Sequence, residues 1–341
     1  MGQSDKPPFS WDDFRQIELP KQIFFASIDV IDSTRLKNQT GKDLFWIQQI
    51  SAMLSEIPTY FLQHYKENRE KCGCLGTCTD KCIIATDNRH IQIDTWKYLG
   101  DEVVITAEMK CPTHPYLLVQ ALRSTLIQLE RETSKNRKSS QKGESLAFKG
   151  AAWVAGFPVA NKEVFLGIRK KRTIDYMGPS IDLGFRLAKL ATREKIILSE
   201  SLVYFLASNN HYPIKLFSGG NINLHGLRES KVPLFWTALD DSHLSNDELI
   251  KESEASAIYS FITKRFKKRK DILPFIFLDK SKTPEEAYIA KYLSIISELR
   301  VTPSSRLFYD PKDEGSSTDK VPESIYDALK NTINKITEQK K

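Results

Sequence analysis

Between Gln22 and Ile31 the chain reads QIFFASIDVI, a nearly continuous apolar run rich in β-branched and aromatic residues. Such a run predicts a strand buried on both faces. Asp29 is the one charged residue within it. From Lys42 to about Asn68, apolar side chains recur at Leu44, Ile47, Ile50, Leu54, Ile57 and Phe61, the spacing of a helix with a single apolar face. RHIQIDTWKYLGDEVVITAEM (89–109) alternates around Gly100 and predicts strand, tight turn, strand. A second helix is expected over roughly 115–132. A strand with a small-residue centre, SLAFKGAAWVAGF, follows at 145–157. SIDLGFRLAKLA opens a third helix just after Gly178-Pro179, with Ser180 as its expected N-cap. KIILS and LFWTAL supply further strands.

The order β-α-β-β-α-β, then α and β, predicts an α+β fold over residues 21–240, with helices on one face of a mainly antiparallel sheet. Residues 1–20 are a polar, Pro-containing lead-in. Beyond Asp240 charged helical segments are expected at 246–267, 284–299 and 322–337, so 241–341 reads as a helical C-terminal extension. Its pattern carries no hint of its role.

Composition narrows the class. With 40% hydrophobic and 27% charged residues the chain is globular rather than disordered. The longest apolar stretch, ILPFIFL, is too short to cross a bilayer, and the N-terminus lacks a secretory pattern, so a cytoplasmic protein is expected. The net charge of +7 gathers in SKNRKSSQK, RKKR and KRFKKRK. These runs fit solvated faces, or attraction to polyphosphate or an anionic surface. Nucleic-acid binding is disfavoured, because no run interleaves aromatics in a binding motif.

Cys72, Cys74, Cys78 and Cys82 crowd into one stretch. Four thiols at this density can wrap a structural zinc ion, although C-x-C-x3-C-x3-C departs from the usual paired C-x2-C spacing. The alternative is a reduced loop with no metal. No His or Glu in the neighbourhood completes an open, catalytic zinc site.

Asp29 holds the chemical interest. An isolated buried carboxylate costs several kcal/mol unless it is paired or metal-bound. In a β-α-β-β arrangement the hairpin turn lies beside the end of the first strand, which brings Asp101 toward Asp29. Two converging carboxylates form a hard oxygen site suited to Mg²⁺ or Mn²⁺.

Three separated segments carry a resemblance. FASIDVIDST resembles the first metal-binding strand of class III nucleotidyl cyclases, roughly F-x-D-I-x-G-F-T. KYLGDEVVITA resembles their K-x-x-G-D hairpin, and DYMGPSIDLGFRLAKLA their D-x-x-G-x-x-V-N-x-A-x-R-L element. WKYLGDE, KGAAWVAGFP and GPSIDLGFRL look most like the bacterial pyrimidine cyclases of the Pycsar antiphage systems. The resemblance implies a ferredoxin-like catalytic domain in which Asp29, Asp101 and the Val30 carbonyl hold two divalent cations, Mn²⁺ or Mg²⁺. One ion would activate the 3′-hydroxyl of a nucleoside triphosphate and the other would clamp the triphosphate. Arg186 would stabilise the transition state, and Lys97 and Asp175 would read the base. Asp182 stands where the family orients the ribose with Asn. Either Arg228 or Lys231 would bind phosphate. The implied assembly is a homodimer with composite sites. The implied product is cUMP or cCMP, or cAMP if the enzyme is a purine cyclase, made for a separate effector protein. A regulatory module that binds nucleotide without turnover is the alternative outside enzymes.

Departures from the family pattern are local. Asp32-Ser33-Thr34 replaces G-F-T, Asp182 replaces Asn, and Gly184 and Phe185 replace Ala and Ser. Strand alternation places Trp96 and Tyr98 on the face opposite Lys97.

Overall fold

The computed structural model describes residues 21–34, 43–71, 91–109, 113–139, 146–157, 161–166, 173–208, 214–224, 231–240 and 254–269. In chain order the elements are β1 (Lys21–Val30), α1 (Asp43–Lys71), β2 (Ile93–Tyr98), β3 (Glu102–Met109), α2 (His114–Ser139), β4 (Phe148–Phe157) and β5 (Lys162–Leu166). β6 (Thr173–Met177), α3 (Pro179–Ala188), β7 (Lys195–Leu198), α4 (Glu200–Ser208), β8 (Phe217–Asn223), β9 (Lys231–Ala238) and α5 (Ala255–Arg269) follow. Seven strands form one sheet in the order β2-β3-β1-β4-β7-β9-β8, and β5 pairs with β6 in a separate hairpin. Every neighbouring pair is antiparallel except β4 with β7. The fold is α+β, as the patterning predicts.

Phe24, Ile28, Val103, Ile105 and Val154 line one face of the sheet and meet Ile50, Leu54, Ile57 and Phe61 of α1 and Leu118, Leu122, Leu126 and Leu129 of α2. Their spacing is the helical stripe seen in the sequence, and each such side chain contributes about 1.5–3 kcal/mol when fully buried. α2 crosses close above Gly150, where an added Cβ would lie 2.7 Å from Leu126 Cδ1.

The helices do not all share that face. α3 packs on the other side through Ile181 and Leu187, against Trp153 and Val104 in one cluster and Ile197, Phe217 and Trp236 in another. β1 and β4 are buried on both faces, so they require cover on both.

Four elements have no counterpart in the sequence reading. β5 and β6 flank the RKKR run, whose charges mask a strand pattern. β8 reads FSGGNIN, a turn-like composition that pairs with β9 only by a register shift between Ser218 and Asn221. α4 (ESLVYFLAS) is a short unbroken apolar run, which periodicity cannot tell from a strand.

The described part of the C-terminal extension is α5. Ile258, Ile262 and Phe266 join the same core as Leu202 and Phe205 of α4. The Tyr204 and Tyr259 hydroxyls lie 2.9 Å apart, and Arg265 Nε donates to the buried Glu200 carboxylate at 2.7 Å. Residues 1–20, Cys72–Cys82, Arg228 and the segments expected at 284–299 and 322–337 lie outside the described residues. No helix among the described residues is long and apolar enough to cross a membrane.

Candidate active site

Three charged residues stand in one row across the sheet. The β1–β3 register places Glu102 opposite Asp29, and the β1–β4 register places Lys149 on the other side of Asp29. Alternation along β1 puts Asp29 on the same face as Phe25, the face that carries α3. Lys149 Nζ lies 3.2 Å from Asp29 Oδ2, and the two side chains keep 22% and 28% of their exposure. Ser27 Oγ donates to Glu102 Oε1 at 2.5 Å. Burial pushes the Asp29 carboxyl above its ordinary value; Lys149 counters the rise and the nearby Asp101 charge adds to it. Burial also raises Glu102, against the Ser27 hydrogen bond and with the charge of Asp29.

Asp101 occupies the turn between β2 and β3. Gly100 supplies the positive φ of 75° that the turn needs. The Leu99 amide donates to the Glu102 carbonyl at 2.8 Å, and the Val30 amide donates to the Asp101 carbonyl at 3.3 Å. This last bond ties the hairpin turn to the end of β1, which sets the backbone of Asp101 beside that of Val30. Glu102 is therefore the acid directly across from Asp29, while Asp101 stands at the strand tip.

Past Val30 the chain turns through Asp32 at φ 55°, in the left-handed region. Asp is among the few residues other than Gly that enter that region readily, so Asp32 fits this bend.

A bulge alters the reading of β2. The register with β3 shifts between Thr95 and Lys97, leaving Trp96 as an extra residue and setting Lys97 opposite Val104. Simple alternation therefore fails here. Trp96 packs on the α3 face against Phe25, Tyr176 and Phe185, and Lys97 Nζ sits 4.4 Å over its ring. Tyr98 is exposed. Lys97 Nζ also lies 2.6 Å from Asp175 Oδ1 on β6, an oxygen that accepts the Tyr176 amide at 2.9 Å. Burial pushes the Tyr176 hydroxyl far above its ordinary range.

α3 carries Asp182 in its first turn and Arg186 in its last, four residues apart and so on one face. Asp182 is exposed and Arg186 half-buried. The helix start differs from the expectation: Gly178 is the N-cap and Pro179 opens the helix. Ser180 lies inside. Its amide donates to Asn161 Oδ1 at 3.0 Å, while Asn161 Nδ2 donates to the Gly156 carbonyl at 2.9 Å and to Ser180 Oγ at 3.2 Å. Buried Asn161 thus caps α3 from the loop after β4, a long-range partnership with no sequence signal.

The acids at the strand tips are donors of the kind a hard divalent cation takes: Asp29 feels the charge of Asp101, and burial raises its carboxyl, a rise that a bound cation would offset. No three His, Cys, Asp or Glu side chains gather as a metal cage among the described residues. Val30 points its side chain into the core and engages Asp101 through its amide. Lys231 begins β9 and is exposed. Lys149, Glu102, Ser27 and Asn161 are contributors that the motifs did not indicate.

No protein-family model and no curated relative matches the chain. Among solved structures it is similar to the adenylyl cyclase CyaB from P. aeruginosa, at 13% identity and a TM-score of 0.49, over 67% of this chain and 100% of that one. It is also similar to adenylate cyclases from Trypanosoma brucei in their monomeric state (10% identity, TM-score 0.43, 66% of this chain and 91% of that one). A third is the guanylate cyclase domain of RhGC from Catenaria anguillulae in complex with GTP (12% identity, TM-score 0.42, 64% and 98%).

Proposed function

We propose that this chain is a nucleotidyl cyclase that converts UTP or CTP to the 3′,5′-cyclic monophosphate and pyrophosphate. The observation that carries this reading is the backbone bond from Val30 to Asp101, which sets two acids at adjacent strand tips. Their chemistry is that of a triphosphate-handling cation site. Asp29 and Asp101 would hold divalent cations, Mn²⁺ or Mg²⁺, which when bound supply Lewis-acid activation of the 3′-hydroxyl and charge for the triphosphate.

The chain's own residues account for the rest. Arg186 donates from a planar cation to the α-phosphate, where negative charge grows as the 3′-oxygen–phosphorus bond forms and the bond to pyrophosphate breaks. Lys97 and Asp175, already paired, present a donor and an acceptor to the edge of a base. Asp182 accepts a ribose hydroxyl. With metal acids and arginine on different subunits, a homodimer would contain two composite sites. The pyrimidine preference, and a role as a cytoplasmic second-messenger enzyme of bacterial antiphage defence, rest on the resemblance of WKYLGDE, KGAAWVAGFP and GPSIDLGFRL.

Mixing tests both chemistry and assembly. Asp101→Ala and Arg186→Ala should each abolish pyrophosphate release from UTP or CTP, the arginine change lowering turnover more than affinity. Combined, they should regain about a quarter of wild-type activity, because half the dimers hold one intact composite site. No recovery on mixing, with both variants folded and dimeric, contradicts the composite site.

A further inference from the structure

Lys149 stands apart from the residues the motifs supply. It is one strand away from Asp29 in the β4 register, its Nζ 3.2 Å from the Asp29 carboxylate. The row Glu102–Asp29–Lys149 thus sets one cation against two half-buried acids, with Asp101 adding a third negative charge at the turn. Without such a cation, the acids would repel one another across adjacent strands, where like charges directly opposite destabilise the pairing.

We propose that Lys149 is a place-holder cation. It occupies the Asp29 carboxylate in the metal-free protein and must be displaced when a divalent cation loads. This rests on the reading of Asp29 and Asp101 as metal acids and goes beyond it, because it assigns a competitor already built into β4. Lysine is suited to this role because its ammonium sits on a flexible four-carbon stem and can withdraw without moving the strand. The pair is part-exposed, so its attraction is screened and a divalent ion can outcompete it. Once displaced, Lys149 is left beside the bound metal with its charge free for the triphosphate that arrives next. The metal-free site is thereby held charged and ordered, and metal binding is weakened until nucleotide adds its own negative charge.

The test is Mn²⁺ affinity without nucleotide, read from the electron paramagnetic resonance signal of free Mn²⁺, with thermal melts to verify folding. Lys149→Met and Lys149→Gln should each bind Mn²⁺ about threefold to tenfold more tightly than wild type, the range expected for removing one partly screened charge at this distance. Lys149→Arg should stay near wild type. Unchanged or weaker affinity in both neutral variants, while Asp29→Asn loses the site, overturns the place-holder and leaves the metal acids standing. Undiminished Mn²⁺ binding in both Asp29→Asn and Asp101→Asn overturns the metal acids themselves.

Discussion

Gly184 lies directly beneath the indole of Trp153: a Cβ at that position would stand 2.2 Å from the ring carbons Cδ2 and Cε2. The contact joins α3 to β4. Glycine replaces the Ala of the resembled motif here because a fully buried Trp153, stacked on Phe25 with ring centroids 5.4 Å apart, leaves no room for a methyl group. The height of α3 above the sheet, and with it the placement of Asp182 and Arg186, follows from that contact.

Gly184→Ala should therefore cost about 1–3 kcal/mol of stability, the usual penalty for overpacking a filled core. A chemical denaturation midpoint measures it. In a Trp153→Leu background, itself destabilised by the lost ring, the further cost of Gly184→Ala should be smaller, since the ring that obstructs the methyl is gone. An equal Gly184→Ala penalty in both backgrounds would mean that the contact does not set the helix.

The Lys97–Asp175 pair predicts a separable effect on nucleotide binding. If the pair reads the base as proposed, rather than the reacting phosphate, Lys97→Met should raise KM several-fold with a smaller change in kcat. Asp175→Asn, which turns one acceptor oxygen into a donor, should change the order of preference among bases. A variant whose relative rates with the four nucleotides are unchanged would remove Asp175 from base recognition.

Much of this was legible in the chain because it is local. The apolar runs of β1 and β4, the helical stripe of α1 and the Gly-turn of the hairpin are encoded within windows of a few turns. So was the approach of Asp101 to Asp29, since a hairpin beside the first strand permits little else. Lys149 was not legible: its place next to Asp29 depends on a register between strands more than a hundred residues apart. Asn161 escaped for the same reason, capping a helix that starts 18 positions later in the sequence. The bulge at Trp96 reversed a prediction made from strict alternation. In the same way, the cover on the second face was implied by the doubly apolar β1 yet not assigned to α3.

Stability should depend on pH through the acidic row. Burial holds the Asp29 and Glu102 carboxyls above their ordinary values, so the folded chain binds these protons more tightly than the unfolded one. Their stabilisation is complete below the ordinary carboxylate range and is lost as pH rises through the raised values. Glu102→Gln should accordingly raise the Tm of the metal-free protein by a few degrees at pH 8, about 2–4 °C per kcal/mol for a chain of this size, and by little at pH 4. A Tm difference that does not grow between those pH values would contradict the burial argument.

Asn161→Ala removes the acceptor for the Ser180 amide and leaves the Gly156 carbonyl without its donor. A loss of about 1–3 kcal/mol is expected for unpaired buried groups. If α3 positions Arg186, kcat should fall more than KM rises. Asn161→Asp, which keeps the acceptor toward Ser180, should restore part of the turnover. Full activity in the alanine variant would detach the cap from the site.

The most direct measurement is product identity. Purified protein would be incubated with Mn²⁺ and, separately, ATP, GTP, CTP and UTP, and the products resolved by chromatography beside Asp101→Ala. A cyclic pyrimidine monophosphate from wild type and none from the variant is the predicted result. A cyclic purine product would keep the chemistry and overturn the pyrimidine assignment. No cyclic product from any of the four, or equal product from Asp101→Ala, would contradict the cyclase reading itself.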